Sequence, residues 1–185
     1  METTKKPAAP FSKIFWKSVW YGFIAGMISG MVKIGWEKIF PPRTLARDAT
    51  NPPQELLQQL GVPYDVTHSY VYFSTDQQVF VVALIIHFAF AIFFSFLFIL
   101  LTQYKPKIAI FEGAIYGIVI WIAFHIIIMP LLGTVPAPWD QPFDEHFSEF
   151  FGHIVWAWSI AASAWYLIAK QKVKTLTNPK MNNDD

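Results

Sequence analysis

The chain has no cysteine in its 185 residues, which removes disulfides, thiolate metal sites and cysteine nucleophiles from consideration. An excess of one charge is lacking too. The 14 basic residues are balanced by 13 acidic ones and sit in short flanks rather than a stripe, so nothing argues for nucleic acid as a partner. There is no serine elbow, P-loop, dinucleotide fingerprint, kinase signature or HExxH pattern, and the sequence gives no support for an enzyme. Internal repeats and low-complexity tracts are also absent.

Apolar residues dominate instead: 54% are hydrophobic and 18% aromatic, more than a soluble core of this size needs. The run from Val79 to Leu101 has 23 residues, no formal charge and one histidine, His87. At about 1.5 Å per residue it crosses the roughly 30 Å hydrocarbon core of a bilayer. Similar stretches fall near 108–132 and 148–169, and a shorter, glycine-rich one near 16–37. The expected fold is all-α, a single membrane domain built as a four-helix transmembrane bundle. The first span reads as a retained signal anchor, because no small-x-small cleavage pattern follows it before Lys33.

Basic residues beside spans are kept on the cytoplasmic side. Ten of them (Lys5, Lys6, Lys13, Lys17, Lys105, Lys107, Lys170, Lys172, Lys174 and Lys180) share one side, against Lys33, Lys38, Arg43 and Arg47 on the other. Both termini are therefore expected in the cytoplasm. The external loops are 38–78 and 133–147, and the tails 1–10 and 177–185 read as disordered. In the first loop, Asn51-Pro52-Pro53 before QELLQQL and Gly61 predicts a short capped helix, so the loop is partly helical. The second loop, with three prolines, predicts a cap without regular structure before Asp144. Trp16, Trp36 and Trp139 suit interfacial belts.

Gly22, Gly26 and Gly30 repeat at four-residue spacing, the pattern that lets helix backbones approach closely in lipid. The same stripe continues through Ser29 to Lys33 and Glu37. His87, His125, Glu149 and His153 then fall at similar depth toward the external end of the other three spans. Ionisable groups at such depth face a bundle interior or a wet cavity, because lipid exposure costs a few kcal/mol each. Lys33, Glu37, Arg43, His87, His125, Glu149 and His153 are thus expected to line an outward-facing polar pocket. Three readings stay open for it: a pH-responsive or proton-handling site, since imidazole titrates near neutrality; a transporter of small ions or divalent metals; or a structural membrane partner whose glycine face forms a homo-oligomer seam. His146, Glu149 and His153 are the weak metal candidates, since their spacing fits no standard zinc motif. One haem held between two histidines is a further cofactor alternative. Glu112 reads as a local ion-pair member near Lys105 and Lys107.

The segments Gly22-x-x-Ala25-Gly26-x-x-Ser29, Val32-Lys33, Glu37 and Pro41-Pro42-Arg43, with His125, Pro130-Leu131-x-Gly133 and Ser148-Glu149-x-x-Gly152-His153-x-Val155-Trp156-x-Trp158-Ser159-Ile160, resemble the YagU-like proteins of the bacterial inner membrane. The resemblance covers nearly the whole chain, and departs from the family mainly in a shorter first external loop without cysteine. It implies a multi-pass inner-membrane protein without an assigned biochemical activity, with a link to acid tolerance. No catalytic residue carries over. The matching positions Lys33, Glu37, Arg43, His125, Glu149 and His153 coincide with the polar pocket reached from the residues alone.

Overall fold

The structure is a computed structural model that describes residues 10–41 and 49–177. Residues 1–9 and 178–185, most of the two tails read as disordered, lie outside the described residues, as does Arg43. The long helices are α1 (Phe11–Ile39), α4 (Val81–Tyr104) and α7 (Phe143–Thr177). Between α1 and α4 come α2 (Pro52–Gln59), α3 (Tyr64–Thr67) and an antiparallel hairpin of β1 (Tyr70–Ser74) and β2 (Gln77–Phe80). Between α4 and α7 the chain runs through a 3₁₀ stretch (Pro106–Gly113), α5 (Ala114–Trp121), a π-helical stretch (Ile122–Ile128) and the short turn α6 (Met129–Leu131).

Val81–Tyr104, Pro106–Leu131 and Phe143–Val173 are long and apolar enough to cross a membrane. Helix α1 divides its two faces sharply. Ser18, Gly22, Ala25, Gly26, Ser29, Gly30 and Lys33 are buried, while Trp16, Trp20, Phe23, Met27 and Met31 on the other side are exposed. Small residues inside and large apolar ones outside invert the soluble pattern and suit a helix whose outer face meets acyl chains.

The glycine stripe is filled by α4. A Cβ added at Gly22 would lie 2.5 Å from the Phe96 Cα, and one at Gly30 would lie 2.8 Å from the Phe88 ring. The seam expected between copies is thus occupied within one chain, because backbone contact with α4 uses the face a second copy would need. Helix α7 packs on α1 and α5, and a core of Ala25, Phe98, Ile99, Ile120, Trp156 and Ile160 closes the middle of the bundle. The Tyr21 hydroxyl donates to Gln171 Oε1 at 2.8 Å, so the start of α1 and the end of α7 share one end of the molecule.

The loops differ from expectation in three ways. The first contains the capped helix, with Asn51 Oδ1 accepting from the Gln54 N–H and Gln54 reciprocating, but it also holds a β-hairpin. Val71, Tyr72 and Phe73 are strong β-formers, and their exposure hides them from a search for buried faces. The second loop has a 3₁₀ turn at Pro138–Asp140, and α7 begins at Phe143, several residues before the apolar run. The third span is also broken rather than continuous. Phe111 and Glu112 have φ of 50° and 55°, left-handed values that disfavour side chains, and Pro130 crowds the turn before it and cannot donate to it.

Candidate functional site

At the end of the bundle opposite the Tyr21–Gln171 hydrogen bond, three elements bring their titratable side chains to one carboxylate. Glu149 lies in the second turn of α7, and its carboxyl is 6% exposed. Lys33 Nζ, 7% exposed, sits 3.0 Å from Glu149 Oε2 and 2.6 Å from Glu37 Oε1, the latter one turn along α1. His125 Nε2 reaches within 3.4 Å of the same Glu149 oxygen from the π-helical stretch. His153, one turn after Glu149, has Nδ1 3.8 Å from Oε2 and donates Nδ1–H to the Glu149 carbonyl oxygen at 2.7 Å. A neutral His153 therefore carries its lone pair on Nε2. The two imidazole rings meet edge to face with centroids 4.8 Å apart.

The local sequence explains this meeting. Lys33 and Glu37, and likewise Glu149 and His153, are four residues apart on one helical face. Gly152 admits Lys33 to α7: a Cβ there would lie 3.1 Å from Lys33 Nζ and 2.9 Å from Trp36. Trp36 Nε1 donates to the Ser148 carbonyl at 2.9 Å, and the Ser148 hydroxyl donates to the Phe40 carbonyl, so α1 and α7 are pinned just beyond the ion pair. Trp36 thus serves as an interhelical clamp, not only as a belt residue. His125 stands in a π-helical stretch, a local widening often found at functional positions.

Other expected pocket residues lie elsewhere. His87 donates Nε2–H to the Gly30 carbonyl at 3.0 Å, joining α4 to α1 away from the cluster. His146 donates Nε2–H to the Pro138 carbonyl at 2.7 Å, and among the described residues the metal-ligating side chains that come together are His125, Glu149 and His153 instead. Glu112 accepts from Trp158 Nε1 at 2.8 Å, an indole partner in place of the expected lysines. Gly152, Trp36 and Ser148 were not singled out for the site. Gly152 and Ser148 stood in the quoted ser-glu-x-x-gly-his motif, but their role depends on what α1 brings opposite them.

Among the described residues, Lys33 faces the carboxylates of Glu149 and Glu37, and His125 and His153 border the same Glu149 oxygen. A metal fits this arrangement poorly. His153 Nδ1–H is already given to the Glu149 carbonyl oxygen at 2.7 Å, so only its Nε2 could ligate. Lys33 already holds the shared carboxylate. Haem between two histidines would need an open slot, and the ring contact of His125 with His153 leaves none.

Apolar helices wrapped around a buried charge cluster define a multi-pass helical membrane protein. The chain belongs to the family described as "Protein of unknown function (DUF1440)", whose pattern matches residues 27–162. It is 31% identical to the inner membrane protein YagU of Escherichia coli (strain K12) over 162 residues, covering 75% of this chain and 78% of that protein. No solved structure matches it. The match and the apolar helices together place the chain in the bacterial inner membrane.

Proposed function

We propose that the protein is a non-enzymatic, pH-responsive membrane protein in which the Lys33–Glu149 cluster takes up a proton from outside the cell, in the service of acid tolerance. The observation that carries this is the meeting of two imidazoles at one buried carboxylate: His125 Nε2 and His153 Nδ1 lie 3.4 and 3.8 Å from Glu149 Oε2. A proton added to either ring would sit beside that carboxylate and strengthen the attraction between the elements that carry them. His125 and His153 are the members whose side-chain type titrates nearest physiological pH. In this reading α1 is a fourth span, supported by its exposed apolar stripe, and the balance of lysines puts both termini in the cytoplasm and the cluster outside.

The test is a titration of ¹⁵N-histidine protein in lipid nanodiscs, followed through the imidazole shifts. Between about pH 8 and about pH 5, a resonance assigned to His125 or His153 is expected to titrate, and Glu149→Gln is expected to move its midpoint. Constant shifts for both cluster histidines across the range would refute proton uptake. Stoichiometric retention of zinc by purified protein, lost in Glu149→Gln, would favour the transporter or metal-binding reading.

A further inference from the structure

A cavity lies at the other end of the bundle and is not part of the Glu149 cluster. It has a volume of about 140 Å³ and is walled by α1, α4 and α7. Lys13, Lys17 and Tyr21 reach it from α1, Gln103 from the last turn of α4, and Gln171 from the last turns of α7. Lys172, the neighbour of Gln171, lies close enough to act electrostatically on Lys17, as does Lys13. Two lysines of α1 therefore line the opening, and a third cation, from α7, stands near one of them. The Tyr21 hydroxyl donates to Gln171 Oε1 at 2.8 Å, which joins α1 to α7 across the cavity wall. Lys17 Nζ stands 5.4 Å from the Tyr21 ring centroid, a cation on an aromatic face at the cavity wall.

Like charges brought together at a low-dielectric boundary repel, and an anion relieves that repulsion. The depth fits one kind of anion best. The cavity opens beside the ends of α4 and α7, where a span leaves the hydrocarbon, and basic pockets between helices at that level suit acidic lipid headgroups. The side-chain amide of Gln103 adds neutral hydrogen-bonding capacity for phosphate oxygens.

We propose that the cavity lined by Lys13, Lys17, Tyr21, Gln103 and Gln171 binds a phosphate-bearing anion, offered either by an acidic phospholipid headgroup or by free phosphate. It would tie the α1 and α7 ends together through a shared counter-ion, at a point remote from the proton-binding cluster, and it does not depend on that cluster's function.

The experiment is native mass spectrometry and thermal melting of the full chain in nanodiscs of phosphatidylcholine alone, phosphatidylcholine with phosphatidylglycerol, and phosphatidylcholine with inorganic phosphate in the buffer. Lipid binding is expected to show retained phosphatidylglycerol and a raised melting temperature in the second arm only. Free-phosphate binding is expected to raise the melting temperature in the third. Lys17→Gln and Lys172→Gln should each weaken the binding about fivefold, and together about 25-fold, at about 1 kcal/mol per lysine near a membrane surface. Melting in phosphatidylcholine alone reports whether each variant is folded. Equal behaviour in all three arms, or undiminished phosphatidylglycerol retention by the folded double variant, would overturn the proposal.

Discussion

Replacing Lys33 by methionine removes the charge at the centre of the site while keeping most of the side chain's volume. Glu149 is then a carboxylate, 6% exposed, that has lost an ammonium at 3.0 Å. Breaking a buried pair by removing one partner costs about 3–5 kcal/mol, because the survivor stays desolvated. Glu37, with a side chain 29% exposed, retains access to water and adds little. Lys33→Met is therefore expected to lose about 3–4 kcal/mol in a denaturant titration of the detergent-solubilised protein. Glu149→Gln alone leaves Lys33 with Glu37 and should cost less, about 1–2 kcal/mol. The double variant removes the stranded charge and should recover at least about 2 kcal/mol relative to the sum of the single losses, a coupling that a double-mutant cycle reads directly. Additive losses, with a cycle term near zero, would mean that the two side chains do not share their energetics, and the site as drawn would be wrong.

Three more outcomes follow from the packing. Gly26→Leu would drive a side chain into the Ile92 backbone and is expected to abolish accumulation of folded protein, whereas Gly35→Ala, with nothing within 4 Å, should stabilise α1 by about 0.5–1 kcal/mol; melting curves of both variants check this. Glu112→Gly should relieve the left-handed strain at φ 55° by up to about 1 kcal/mol, offset in part by loss of the Trp158 hydrogen bond, while Glu112→Ile should lower the melting temperature. His87→Phe should cost about 1 kcal/mol through the lost Gly30 hydrogen bond and leave the histidine titration of the cluster unchanged.

Hydropathy and helical spacing were enough to read the membrane helices and the stripe from Gly22 to Lys33, because both signals are local. Depth along a span is also local, and in the structure Glu37, His125, Glu149 and His153 meet at one end of the bundle. What spacing cannot give is rotation about each helix axis. His87 has the right depth but faces Gly30, since α4 is turned by its contact with the glycine stripe, and this decides which histidine joins the cluster. The acidic run from Asp144 to Glu149 was legible as a helix start, yet His146 lies on the same face and gives its Nε2–H to the Pro138 carbonyl, because the turn before α7 folds back over it. The hairpin at Tyr70–Phe80 escaped because its residues are exposed, and burial patterning has nothing to register there.

The two polar ends of the bundle are separated by Ala25, Phe98, Ile99, Ile120, Trp156 and Ile160, all less than a tenth exposed. A continuous proton or ion path through that layer would have to open a close-packed apolar core, so the packing favours sensing through helix position over conduction. The same two helices form both ends: α1 carries Lys33 as well as Lys17, and α7 carries Glu149 as well as Gln171. A change in the attraction between α1 and α7 at one end therefore alters the walls of the cavity at the other. Two measurements separate these mechanisms. Proteoliposomes are expected to show background proton flux under an imposed pH gradient, while spin labels at Phe11→Cys and Tyr166→Cys, both exposed positions in a chain free of native cysteine, should change separation by about 2 Å on acidification, the scale of a helix shift. Sustained flux abolished by Glu149→Gln, with no change in separation, would reverse the assignment and make the cluster part of a conduction path.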